Sequence, residues 1–250
     1  LENAKNNTTI AGVNMTPLHL IIFLFIGHSN MQGYCAMPDT VTDPHVWAYD
    51  LRHGFFNCSD KDMIAKSGSP LMPFLKRMAR TYPGYNFCGI QHASPCQQAF
   101  HLLSESRHKE CLINQINMLK GKGTFGGALF MYGVVENLFN TVDSLRPEFI
   151  KLVAFLREQT GDKKLPIILG RFEENGDHVK GDFYRHQAQT IKIINHMPRL
   201  IENCSLTPFK PVPKEEFCDD HHYNQAGYKR WTWDAVTIYK YNGYDSWARK

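Results

Sequence analysis

No apolar run in this 250-residue chain can span a bilayer: the most apolar stretch, Leu20 to Ile26, is far short of the roughly 20 residues required. None of the seven cysteines forms a CxxC pair, which removes the zinc ribbon and the thioredoxin-like redox site. No block of like charge occurs either. The 28 Lys and Arg are interspersed with 24 Asp and Glu for a net charge of +4, so neither nucleic acid nor a membrane is expected as a partner. That mild positive balance suits an acidic polysaccharide weakly. Internal repeats and low-complexity tracts are also missing, which excludes solenoids and disordered linkers. The odd cysteine count leaves at least one thiol unpaired within the chain, and up to three disulfides are open to a secreted protein.

What remains is an ordinary globular mix, 43% hydrophobic and 21% charged, with enough chain to bury a core. Residues 1–250 are expected to form one domain, with 1–16 as a polar, flexible extension from which a signal peptide has been removed. Short apolar runs alternate with longer amphipathic stretches. Strands are expected at 18–26, 85–90, 128–135 and 165–170. Helices are expected at 70–82, 108–119, 147–160, 183–197 and 227–241. Such alternation predicts a three-layer α/β/α sandwich around a central parallel sheet. The segment 34–69, weak in periodicity and rich in Asp, Pro and Gly, reads as a long active-site loop. Trp47 lies within it, where an aromatic ring can stack on a sugar; Trp231, Trp233 and Trp247 are expected in the core. The remaining histidines, His92, His101 and His108 among them, are expected on surfaces or loops.

In such a sheet, ligands bind beyond the carboxyl ends of the strands. The first strand leads directly into Gly27-His28-Ser29-Asn30-Met31-Gln32-Gly33. Glycines on both sides permit a tight turn, and a serine there sits where backbone N–H groups favour developing negative charge. The same serine would equally serve as a helix N-cap.

Near the other end stands Cys218-Asp219-Asp220-His221-His222-Tyr223-Asn224-Gln225-Ala226-Gly227-Tyr228. An Asp three residues before a His can close a local turn, fix the imidazole tautomer and stabilise the imidazolium that forms when it takes a serine proton. Asp219 and His222 have that spacing. The alternatives are a polar loop whose Asp caps the next helix, and a metal cluster of two carboxylates and two imidazoles. No further metal ligands stand out, so neither metal nor cofactor is expected.

Together these motifs differ from the Gly-x-Ser-x-Gly elbow. They resemble the SGNH hydrolases, which carry the serine after the first strand and close the domain with Asp-x-x-His. More narrowly, the chain is similar to carbohydrate esterases of the acetyl xylan esterase and sialate O-acetylesterase type. Their Gly-Gln-Ser-Asn-Met-x-Gly is matched by residues 27–33, with His28 in place of Gln. Their Asp-Gly-x-His-x-x-x-x-Gly-Tyr is matched by Asp219, His222, Gly227 and Tyr228. The resemblance implies a flavodoxin-like SGNH fold with Ser29 as nucleophile, His222 as base and Asp219 as its orienting acid. It implies deacetylation of a carbohydrate, most plausibly xylan or a related plant polysaccharide. The protein would be secreted or periplasmic, of a kind found within larger multi-domain polypeptides.

Two blocks depart from that pattern. After the second major strand, Gln91-His92-Ala93-Ser94-Pro95 lacks the family's glycine-rich turn. Oxyanion donation is then expected from the backbone of Ser29, Ala93 or Ser94. Where the family reads Trp-x-Gln-Gly-Glu-Ser, this chain has Tyr132-Gly133-Val134-Val135-Glu136-Asn137, so the amide is not at its expected place and Asn137 or Glu136 completes the oxyanion hole only with a shifted loop. Substrate contacts are expected at His28, Asn30, Trp47, Gly133 and Glu136. The competing functions are a general short-chain or lipid esterase and a carbohydrate-binding module with weakened catalysis.

Overall fold

The computed structural model describes residues 9–10, 13–14, 19–33, 43–50, 54–57, 69–104, 107–171, 185–208, 212–219 and 221–249. Strands β1 (Thr9–Ile10) and β2 (Val13–Asn14) form a small antiparallel pair within the stretch expected as an extension. The main body runs β3 (His19–Gly27), α1 (Ser29–Gln32), β4 (Val46–Asp50), β5 (Gly54–Asn57), α2 (Leu71–Thr81) and β6 (Tyr85–Ala93). It continues through α3 (Arg107–Leu119), β7 (Thr124–Met131), α4 (Val134–Leu138), α5 (Val142–Thr160), β8 (Ile167–Leu169), α6 (Gln187–Leu200), β9 (Cys204–Leu206) and α7 (Gln225–Tyr241).

Seven strands form the sheet in the order β5-β4-β6-β3-β7-β8-β9. Every neighbouring pair is parallel except the β4–β5 edge, which is antiparallel. β3 lies between β6 and β7, where the order of connection reverses, and its carboxyl end therefore opens into the crevice that binds ligands in such sheets.

The composition of β3 explains its central place. Leu20, Ile22, Leu24 and Ile26 point into one core with α3, α5 and α6, while Ile21, Phe23 and Phe25 point into a second with α2 and α7. A strand buried on both faces needs a continuous apolar run rather than alternation. Phe23 is fully buried and meets Phe74 and Tyr239 edge-to-face at 5.0 and 5.4 Å.

Several boundaries differ from those expected. The segment 34–69 contributes β4 and β5 to the sheet rather than loop alone. Trp47 lies on β4 opposite Cys88 and is 5% exposed, so its ring belongs to the core and offers no sugar platform. β7 stops at Met131 rather than running to Val135, because Gly133 turns the chain at φ 116° into α4. α5 begins at Val142 and carries Pro147 inside it rather than at its start. Strand β9 was not anticipated. No helix among the described residues is long and apolar enough to cross a membrane.

Truncating Phe23 to Ala should cost about 3–5 kcal/mol, seen as a lower urea midpoint at unchanged m-value. The same change at Phe139, which is 51% exposed, should stay within about 0.5 kcal/mol. Equal losses at both positions would contradict the placement of the core.

Candidate active site

Ser29 is set by the backbone of β3 and β7. At Gly27 (φ 157°) a Cβ would stand 2.4 Å from the carbonyl oxygen of Met131, so no other residue fits without moving β7. His28 follows, its amide 3.4 Å from that same carbonyl, and its Nδ1 accepts from the Asn30 amide at 3.2 Å. His28 thereby caps α1, and Ser29 becomes its first residue. From β6, Gln91 Nε2 donates to the carbonyls of Met31 and Gln32, both at 3.0 Å, and closes the other end of α1.

The second segment is a tight turn. Phe217 and Tyr223 form an antiparallel bridge, and the Cys218 amide donates to His222 O at 3.0 Å. Asp219 Oδ1 accepts from the amides of His221 and His222 at 2.9 and 2.7 Å. Its other oxygen lies 2.7 Å from His222 Nδ1. Asn224 then caps α7 by accepting from the amides of Ala226 and Gly227. Cys218 is disulfide-bonded, its partner lying outside the described residues, as does Asp220.

The two segments meet. His222 Nε2 is 2.8 Å from Ser29 Oγ, giving a continuous Ser29–His222–Asp219 chain. Asn30 holds it together: its Nδ2 donates to His221 O at 2.8 Å, and its Oδ1 accepts from the Tyr223 amide at 3.0 Å and from Tyr228 Oη at 3.4 Å. Ser29 and His222 retain slight exposure, 8% and 7%, so the chain lies at the rim and not within the core.

No family model matches this chain, and no curated protein does. Solved structures do. A protein of Arabidopsis thaliana superposes with a TM-score of 0.69 at 14% identity, covering 89% of this chain and 98% of its own. A carbohydrate acetylesterase from Xanthomonas citri gives 0.61 at 11%, covering 87% of this chain and 55% of its own. A catalytic mutant of an acetylxylan esterase from Geobacillus stearothermophilus gives 0.56 at 12%, covering 88% and 93%. The chain has the SGNH hydrolase fold.

Within this SGNH fold several of the remaining expected site residues have other partners. The Ser94 amide donates to Gly27 O at 3.3 Å, so it is committed to the sheet and not to an oxyanion. Ala93 ends β6 in register with Gly27 and is partly buried. The Gly133 amide donates to Glu136 Oε2 at 2.8 Å, and Glu136 Oε1 accepts from the Ala99 amide at 3.4 Å. Glu136 is completely buried, so it braces two turns and does not reach substrate. Burial pushes its carboxyl up to about 7, against the pull of the amides of Gly133, Glu136 and Ala99. Asn137 Oδ1 accepts from Thr190 Oγ1 at 2.9 Å, while its Nδ2, the atom that would donate to an oxyanion, is buried without a hydrogen-bond partner among the described residues. Asn30 and His28 are structural parts of the site: both are buried, and their bonds are to protein.

Asp219, His221 and His222 present ligand atoms within 4.8 Å of one another. Yet Asp219 Oδ1 already accepts two backbone amides, and Asp219 Oδ2 and both His222 ring nitrogens lie in the hydrogen-bonded chain to Ser29. Burial alone would raise the Asp219 carboxyl. The His222 ring and the amides of His221 and His222 outweigh it and hold the group below the usual carboxylate range, so it stays ionised beside the base. Sequence reading missed Gln91 and the joining role of Asn30. It also placed His92 at the surface, whereas His92 is buried with Nδ1 2.9 Å from Gln115 Oε1.

Burial, then the positive charges of His222 and His221, push His28 from its ordinary 6.5 down to about 3. The unfolded chain therefore binds this proton at a pH where the folded chain refuses it. The stability is fully present above pH 6.5 and is lost as pH falls towards 3, at up to about 1.4 kcal/mol per pH unit. His28→Asn keeps an N-cap acceptor without a titrating ring. Urea midpoints from pH 7 to 4 should fall less steeply in that variant; identical slopes would contradict the buried, neutral imidazole.

Proposed function

We propose that this protein is a serine-dependent carboxylic ester hydrolase that removes O-acetyl groups from carbohydrate, with acetylated xylan or a related plant polysaccharide as its substrate class. The observation that carries this is the Ser29–His222–Asp219 chain, with contacts of 2.8 and 2.7 Å, at the carboxyl end of the central strand. The names of two fold neighbours, a carbohydrate acetylesterase and an acetylxylan esterase, support the choice of substrate.

The chemistry follows from the contacts. Ser29 Oγ attacks the acetyl carbonyl as His222 Nε2 takes its proton. The Asp219 carboxylate stabilises the imidazolium and holds its tautomer. The tetrahedral oxyanion falls beside the Ser29 amide, which has no intrahelical partner at the start of α1. His222 returns the proton to the leaving sugar oxygen, leaving an acetyl-serine. Water, deprotonated by His222, then releases acetate and restores Ser29.

Of the donors expected for the oxyanion, the Ser94 amide is bonded to Gly27 O, whereas Asn137 Nδ2 is buried without a hydrogen-bond partner among the described residues. Each donor to the oxyanion is worth about 3 kcal/mol in the transition state, so loss of the Ser94 amide should slow turnover. The disulfide at Cys218 favours an oxidising compartment, consistent with a secreted or periplasmic protein.

Acetate release from acetylated xylan, with nitrophenyl acetate as control, should fall at least roughly 10³-fold in Ser29→Ala. Nitrophenyl esters of increasing chain length should be cleaved progressively more slowly. A preference for long chains would favour the lipid esterase. Binding of acetylated glycan without acetate release would favour the weakened module. Equal activity in wild type and Ser29→Ala would reduce Ser29 to a helix residue.

A further inference from the structure

The tryptophan that reaches solvent is not the one expected. Trp47, Trp231 and Trp247 are at most 8% exposed, whereas Trp233 on α7 is 54% exposed. Trp233 and Lys229 are one turn apart on α7, and Lys76, Arg77 and Arg80 share one face of α2. These side chains, with Thr232, line a cleft of about 390 Å³ between the two helices.

The cleft has one sign of charge. Of the described residues, four cations line it and no carboxylate does. Among the described residues Arg77, Arg80 and Lys229 make no ion pair. Elsewhere the chain does pair its charges, as Arg230 with Glu216 one residue along α7. Burial and then the neighbouring Arg80 lower the affinity of Arg77 for its proton, as expected where like charges crowd. The Arg77 guanidinium is not loose: it stacks 3.0 Å over the Trp233 ring centroid. Stacking fixes the plane of the fork and leaves its N–H edges to donate sideways, the geometry that receives a carboxylate or sulfate. A concave surface of one sign concentrates anions, and the half-exposed indole offers a ring face beside them.

We propose that this cleft binds an acidic saccharide unit, its carboxylate or sulfate held by Arg77, Arg80 and Lys229 and its ring against the exposed part of Trp233. A sugar carrying its own anion satisfies both halves of the site within one small ligand, which a bare anion or a neutral sugar does not. The site lies on the outer face of the α2–α7 layer and is separate from Ser29, so it does not depend on the esterase assignment.

The test is titration of the Ser29→Ala protein, in which no ester turns over, followed by Trp fluorescence and calorimetry at fixed ionic strength. The probes are trigalacturonate, a heparin-derived oligosaccharide, neutral xylotriose, inorganic phosphate and a short single-stranded oligonucleotide. One or both acidic saccharides should bind saturably, and which one distinguishes carboxylate from sulfate. Xylotriose and phosphate should bind at least about tenfold more weakly, and Arg77→Ala with Arg80→Ala should weaken saccharide binding by a similar factor. Trp233→Ala should remove the fluorescence response. Lys229→Glu, a change at an exposed helix position that leaves the fold intact, should also weaken binding. With Ser29 restored, cleavage of nitrophenyl acetate should be unchanged by these substitutions. Saccharide binding no tighter than phosphate, tighter binding of the oligonucleotide, or full binding by the charge-removed variants would each overturn the assignment.

Discussion

One buried carboxamide holds together two segments that the chain brings from near its opposite ends. Asn30 bonds to His221 O and to the Tyr223 amide across 191 and 193 residues of sequence, and the Ser29–His222 contact depends on that join. Both Asn30 groups are buried, so losing either partner would leave an unsatisfied polar atom and not merely a missing bond. The rest of the fold serves this junction. β3, apolar on both faces, fixes where Ser29 begins, and the Asn224 cap fixes where α7 departs from the acid–base turn.

The same backbone economy limits the chemistry. An amide can stabilise an oxyanion or complete the scaffold, and here the Ser94 amide, one of the expected donors, completes the scaffold. Ser94 closes the β3–β6 ladder, and Gly133 is bonded by the carboxylate of Glu136. Glu136 sits where the resembling family also has a glutamate, but its buried oxygens reach only backbone N–H groups. The site keeps a continuous Ser29–His222–Asp219 hydrogen-bonded chain, with the Ser94 amide committed to the sheet beside it.

The fold class and the residues of the relay were legible because each rests on local pattern. The unbroken apolar run of β3 announces a doubly buried strand, and the three-residue spacing of Asp219 and His222 closes its own turn. What escaped was set by tertiary context. β4 and β9 are short and lack a distinctive period, so their pairing is decided by neighbouring strands. Trp47 and Trp233 exchanged their expected environments: a strand flanked by loop residues proved to lie in the sheet, and a tryptophan in an amphipathic helix proved to lie on its wet face. The roles of Asn30, Glu136 and Asn137 could not be read from residue type, because an amide or carboxylate serves scaffold and substrate equally well until its partners are known.

The claim on which the account rests is that Ser29 is an activated nucleophile. Its most direct test is stoichiometric labelling with a small fluorophosphonate, followed by peptide mass spectrometry. The account predicts one adduct per chain, on the peptide containing Ser29 and absent from Ser29→Ala. Adduct on another residue, or a Ser29 that stays unmodified while the protein remains folded, would contradict it.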